Sequence, residues 1–287
     1  MQIEESCSVP NQLKDLTGQA VAKGAQLVLF PEAFIGGYPK GLDFGVKLGS
    51  RSAEGRQEFK QYFDSAIHYQ GTESDEIAET AKLHNVYIVV GVVEKEGGSL
   101  YCSVFFYGSD GQKLGKHRKL MPTALERVIW GCGDGSTLPV LDTGVGKIGA
   151  VICWENYMPL LRVAMYQKDI QLYLAPTVDD RETWLSTMTT IALEGRCFVL
   201  SACQYLLSSA FPSDHPAYAN GTQVLIRGGS CAISPLGQVL LQPNFEGEQV
   251  FVVDCDLDEI VKGKFDLDVV GHYARPDVFT LLVNENG

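Results

Sequence analysis

Three side chains in this 287-residue chain could together attack an electrophilic carbon: a thiol, an amine and a carboxylate, each at the end of an expected strand. Cys153 follows Ile148-Gly149-Ala150-Val151-Ile152 and precedes Trp154-Glu155-Asn156, where a helix is expected to begin. A thiol at a strand-to-helix turn is presented at the sheet edge, and the first N–H groups of the helix would favour its thiolate. The same amides could hold a developing oxyanion or its nitrogen equivalent. Lys119 ends a short strand and is followed by Leu120-Met121-Pro122. A lysine facing a cleft beside a carboxylate can donate hydrogen bonds and protons to developing charge. Glu32 stands behind Pro31, directly after the apolar run 26–30. Ligands of open α/β sheets gather at such strand ends, and a partly buried carboxylate there has a raised pKa suited to a general base. Taken singly, each has an ordinary explanation: a core cysteine, a surface lysine, a capping carboxylate. Together, three reactive groups at strand ends form the pattern of a convergent site.

Strands must position these groups, and the chain alternates strands with helices. Residues 11–23 carry Leu13, Leu16, Ala20 and Val21 near helical period, stopped by Gly24. A Gly/Pro-rich loop runs from Gly36 to Gly45. Residues 75–85 predict a helix and 86–93 a strand, followed by a strand at 100–107 that turns at Asp110-Gly111. Further strands are expected at 147–153, 171–175, 198–203, 230–233, 238–241 and 249–253, with helices at 158–167 and 181–196. This alternation, with several hairpins, predicts an α/β fold in which mixed sheet is layered with helices, as one domain over residues 1–287. Pro212, Pro216 and Gly221 break the segment 206–222, which reads as a lid or an oligomer contact.

Composition narrows the function. A net charge of −12 and a pI near 4.9 set the chain against nucleic acid as a partner. The eight cysteines show no C-x-x-C spacing, so they read as reduced intracellular thiols, and with no Cys/His pair at ligand spacing zinc is not expected. No signal peptide and no run of about 20 apolar residues is visible, so a cytoplasmic protein without membrane contact is expected. Gly144-Val145-Gly146-Lys147-Ile148-Gly149 matches a dinucleotide fingerprint literally, but it joins two strands and reads as a hairpin turn. Asp254-Cys255-Asp256-Leu257-Asp258 opens like a calcium loop but has Phe265 where the final glutamate belongs; it reads as the solvent face of a strand end.

Longer blocks carry more information. Phe30-Pro31-Glu32-Ala33-Phe34-Ile35-Gly36-Gly37-Tyr38-Pro39, then Lys116-His117-Arg118-Lys119-Leu120-Met121-Pro122-Thr123, then Cys153-Trp154-Glu155-Asn156 resemble the nitrilase superfamily in order and spacing. The likeness continues through Leu125-Glu126-Arg127, Trp130-Gly131, Gly133-Asp134-Gly135-Ser136-Thr137 and Gly271-His272-Tyr273. The block after the cysteine is similar to that of the true nitrilases. This resemblance implies an α-β-β-α sandwich, mixed sheets covered by helices, that forms homodimers or higher homo-oligomers. It implies a catalytic triad of Glu32 as base, Lys119 as acid and stabiliser and Cys153 as nucleophile, with Glu126 orienting the site. It implies hydrolysis of a small-molecule nitrile to a carboxylic acid and ammonia without a cofactor. Trp154, Tyr38 and Thr177, beside the triad segments or at strand ends, are candidates for substrate binding or for core packing. An amidase or a cyanide-degrading hydrolase with the same triad is the nearest alternative; a non-catalytic assembly module is the alternative from another class. The family opens on an apolar strand, whereas this chain begins Met1-Gln2-Ile3-Glu4-Glu5-Ser6-Cys7, so the first strand is expected to be shortened or missing. The resemblance also stops short of the tail that relatives use in filament contacts, which points to dimers rather than long spirals.

Overall fold

Two β-sheets stack face to face, and helices cover the outer side of each, in a computed structural model that describes residues 9–211, 213 and 216–286. The expected loss of a first strand falls at residues 1–7, outside the described residues. The first sheet has the order β1 (Leu27–Leu29), β2 (Tyr87–Glu96), β3 (Ser99–Tyr107), β4 (Lys113–Arg118). Strand β1 runs parallel to β2, and β2 to β4 form an antiparallel meander. The second sheet contains β5 (Leu141–Thr143), β6 (Gly146–Ala150), β7 (Leu172–Thr177) and β8 (Phe198–Cys203). A short ribbon of β9 (Tyr205–Leu207) and β10 (Val224–Arg227) follows, and β11 (Cys231–Ile233) and β12 (Val239–Leu241) then complete the second sheet beyond β8.

Side chains alternate across each strand, so each sheet supplies two apolar faces. Val89, Val93, Val104 and Phe106 of the first sheet share the central layer with Ile148, Ala150 and Leu174 of the second. The opposite face of the first sheet, with Ile88, Val90 and Phe105, packs on Leu13 of α1 (Val9–Ala22) and Ile77 of α3 (Thr72–His84); α2 (Ala53–Ser65) comes between these helices in the chain. The outer face of the second sheet, with Tyr173 and Val199, packs on Met165 of α4 (Pro159–Gln167) and on Trp184, Met188 and Ile191 of α5 (Thr183–Gly195). Strands β6, β7 and β8 are parallel, and α4 and α5 make their crossovers. Burial on both faces explains why these strands read as unbroken apolar runs. The layers are therefore α-β-β-α.

Several expectations need correction. Residues 249–253 form no strand; they are half-exposed, and the Lys23 side chain holds the Val250 carbonyl at 2.8 Å in place of a ladder. Asp256 is not on a strand end: its carboxylate accepts the Asp258 N–H at 3.0 Å, at the start of α6 (Asp258–Gly263). The irregular segment 206–222 is framed by the β9–β10 ribbon. Helix α2, capped by Ser52, lies in a polar stretch whose apolar pattern is weak, with Tyr62 as its buried large side chain. The hairpin turn expected at Gly144-Val145 is found between β5 and β6, and Gly146 opens β6 at φ +114°. Among the described residues no helix is long and apolar enough to cross a membrane.

Candidate active site

Each of the three reactive side chains reaches the central layer through a feature of its own segment. The chain leaving β1 crosses directly over β2 at Gly91, where a Cβ would lie on the Pro31 carbonyl oxygen and 2.7 Å from Glu32 Cα. Only glycine permits this approach, and it turns Glu32 into the space between the sheets. Lys119 continues from β4, donating its N–H to Cys102 O of β3 at 2.8 Å. Gly133 packs so closely on Arg118 that its own N–H reaches Lys119 O at 2.8 Å. Cys153 follows β6 and adopts φ +49°, a left-handed conformation uncommon for a residue with a Cβ. The fully buried Asn156 holds that bend, donating from Nδ2 to Cys153 O at 2.8 Å and Val151 O at 3.0 Å.

These bends bring charged groups together out of water. Lys119 Nζ donates to Glu32 Oε1 at 2.7 Å and to Glu126 Oε2 at 2.8 Å, with the Lys119 and Glu32 side chains fully buried. Glu126 lies in a short 3-10 helix (Ala124–Val128), where its Oε2 also accepts the Thr123 N–H at 2.6 Å. Tyr38 donates its hydroxyl to Glu126 Oε1 at 2.8 Å and packs edge-on against Trp130, whose ring lies 5.8 Å from Lys119 Nζ. The second oxygen of Glu32 accepts the Val178 N–H at 3.1 Å. The Cys153 thiol lies against Glu32, Thr177 and the Val178 N–H. Glu32, Lys119, Glu126, Cys153, Tyr38 and Thr177 thus form one cluster.

Trp154, the residue after Cys153, makes none of these contacts. It is 43% exposed, donates Nε1–H to Asp179 Oδ2 at 2.8 Å, and carries the Arg181 guanidinium 4.9 Å from its ring centre. Cys102 joins the cluster, its Sγ lying 3.5 Å from Glu32 Oε1. In the sequence it is one more residue of a buried strand, and no signal marks it. Glu155 and His117, which sequence reasoning also misses, form a buried ion pair next to the cluster.

Electrostatics follow from burial. Burial pushes the Glu32 carboxyl up; Lys119 pulls it back in part, and the charge of Glu126 adds to the rise. Burial works against the Lys119 ammonium, but the facing Glu32 and the other groups of the cluster hold its pKa well above the ordinary lysine value. Burial also keeps the Tyr38 phenol protonated and so a donor. The expected low thiol pKa of Cys153 is not found. Burial pushes the thiol up and the charge of Glu32 adds to it, outweighing Lys119 and the contacts from Thr177 and Val178. The reason is local: Cys153 opens a single 3-10 turn (Cys153–Tyr157), and α4 starts only at Pro159, so no long helix points its N-terminus at the sulfur. A neutral thiol needs a base at the moment of attack, and Glu32 touches it.

Replacing Glu126 with glutamine is expected to move the acid limb of the pH–rate profile to lower pH. Removing that negative charge lowers the Glu32 pKa, so this carboxylate stays ionised further into acid. A limb that holds its position, measured as kcat/KM across pH, would show that Glu126 does not tune this base.

Comparison with known proteins supplies independent information. The profile of the family described as "Carbon-nitrogen hydrolase" matches residues 9–265. An aliphatic nitrilase of Sinorhizobium fredii is 50% identical, the match covering 99% of this chain and 94% of that protein. A bifunctional nitrilase/nitrile hydratase of Nicotiana tabacum is 55% identical, with 94% and 80% covered. Among solved structures, a carbon-nitrogen hydrolase from Helicobacter pylori superposes with a TM-score of 0.67 at 19% identity, covering 88% of this chain and 85% of that one; it attests the fold.

Proposed function

Because the chain belongs to the carbon–nitrogen hydrolase family and to its true nitrilase branch, we propose that it hydrolyses an organic nitrile to the carboxylic acid and ammonia through a covalent Cys153 intermediate. The observation that carries this reading is the Lys119 ammonium, held between two carboxylates in a dry site beside a neutral thiol. Glu32 takes the Cys153 proton as sulfur adds to the nitrile carbon. The nitrogen gains negative charge as the triple bond opens, and Lys119 supplies the proton that makes it a neutral thioimidate, regaining one from Glu32. Water adds to the thioimidate carbon with Glu32 as base; collapse expels ammonia and leaves an acyl thioester. A second water, deprotonated by Glu32, releases the acid and restores the thiol. Two waters and one nitrile thereby become one acid and one ammonia.

The tetrahedral intermediate has a second exit. If sulfur leaves before nitrogen is expelled, the product is the amide, which would suit the dual name of the Nicotiana relative. The test is ammonia, acid and amide release by the purified protein from a panel of aliphatic, aromatic and arylacetonitriles, with the matching amides and cyanide. Acid and ammonia in equal amounts from nitriles support the proposal. Turnover of amides alone would replace it with an amidase, and turnover of cyanide alone with a cyanide hydrolase.

A further inference from the structure

One buried carboxylate beside the cluster takes no part in these steps. Glu155 and His117 have side chains with no solvent exposure, and their Oε2 and Nε2 atoms lie 2.9 Å apart. Glu155 Oε1 accepts the Leu120 N–H at 2.6 Å, and Oε2 also accepts the Ile152 N–H at 2.8 Å. His117 Nδ1 lies 2.6 Å from the Thr137 carbonyl oxygen, which can only accept, so Nδ1 carries a hydrogen. Burial raises the cost of ionising Glu155, but the facing His117 and the two backbone N–H groups hold its carboxyl below the usual range. Burial likewise opposes the His117 charge, and Glu155 overcomes it. Each partner thus favours the charged form of the other.

Its placement gives it a task. His117 is two residues before Lys119, and Leu120 is the residue after it; Ile152 is the residue before Cys153, and Glu155 is two after. One carboxylate therefore grips the backbone on the far side of Lys119 and on the near side of Cys153. It does so across the gap between β4 of the first sheet and β6 of the second. The left-handed bend at Cys153 and the turn after Lys119 otherwise belong to different sheets. We infer that Glu155 and His117 are a positioning pair that sets the register between Lys119 and Cys153, and through it the rate of the covalent step, without touching substrate.

The acceptor chemistry makes the inference testable, and it rests on the roles proposed above for Lys119 and Cys153. Three donors converge on Glu155, so the amide nitrogen of Glu155→Gln would face an N–H and release one backbone grip. A misplacement near 1 Å by a group remote from the chemistry costs on the order of 10²-fold in rate, and that loss is expected in kcat for Glu155→Gln. KM should stay within about threefold, because the pair binds no substrate. His117→Gln leaves both backbone grips in place, and about a tenfold fall in kcat is expected from it. It decides the matter if Glu155→Gln does not fold. Both rates are taken per folded site, counted by calorimetric unfolding. Alkylation of Cys153 by iodoacetamide without nitrile should slow in the same order, and this readout does not depend on nitrile turnover.

A role confined to stability would lower the melting temperature and leave kcat per folded site unchanged; that result in His117→Gln would overturn the inference. Wild-type protein that releases no ammonia from any nitrile would instead overturn the proposed function, and the alkylation rates would still judge the positioning.

Discussion

Cys153→Ala is expected to release no measurable ammonia from any nitrile while unfolding cooperatively close to the wild-type temperature. The substitution removes the atom proposed to form the covalent bond, and water with Glu32 cannot replace a bound sulfur nucleophile. Loss of a nucleophile from a catalytic unit of this kind costs on the order of 10⁴–10⁶-fold in kcat. Stability should change little, for two reasons. The thiol is neutral at rest, and Glu32, which loses its contact with that thiol, keeps Lys119 and the Val178 N–H as partners. Deleting one buried atom leaves a small cavity that costs about 1–2 kcal/mol. The backbone bend at φ +49° is held by Asn156 and is no harder for alanine than for cysteine. Ammonia assay and circular dichroism on the same sample check both halves.

Lys119→Met is expected to lose both activity and stability. It leaves Glu32 and Glu126 facing a site from which their shared ammonium, at 2.7 and 2.8 Å, has gone. Two adjacent carboxylates without a cation cannot both stay ionised, so the pair takes up a proton and Glu32 ceases to be a base near neutral pH. With the proposed proton donor for the nitrile nitrogen also lost, kcat should fall by roughly 10⁴-fold. Breaking a buried ion pair by removing one partner costs about 3–5 kcal/mol. The sign of the pH dependence follows from proton uptake. The folded variant would bind a proton that the unfolded chain has already released above its ordinary carboxylate range, so its stability falls as pH rises. Its melting temperature should lie nearest the wild type near pH ~5 and furthest from it at about pH 7 and above. A constant difference across that range would show that the carboxylates do not share a proton.

The parts of the fold that are legible in the sequence have one dominant cause. The run before Cys153 is apolar because the end of β6 and the residues after it are buried, and the helix expected over 181–196 is α5, with Trp184, Met188 and Ile191 on its buried face. Gly144-Val145-Gly146 is legible as a turn because both flanks are strands. What escapes depends on partners distant in sequence. Residues 249–253 have the composition of a strand and no neighbouring strand with which to pair among the described residues. His117 stands in a basic run that suggests a solvated face, yet it is completely buried and paired with Glu155, in the turn that follows β6 of the other sheet. The environment of Cys153 is misleading for a related reason: the residue types predict a helix directly after the thiol, whereas α4 is delayed to Pro159 and burial dominates. Trp154 adjoins Cys153 in the chain, but its ring N–H is held by Asp179, a contact that spans 25 residues.

The nucleophile itself can be tested without a substitution. Iodoacetamide is added in steps, the alkylated fraction of Cys153 is read from peptide masses, and acid release from a nitrile is measured at each step. The expected result is activity that falls in direct proportion to the unmodified Cys153, with alkylation slowed when nitrile is present. Full nitrile turnover by protein whose Cys153 is completely alkylated would contradict the covalent mechanism.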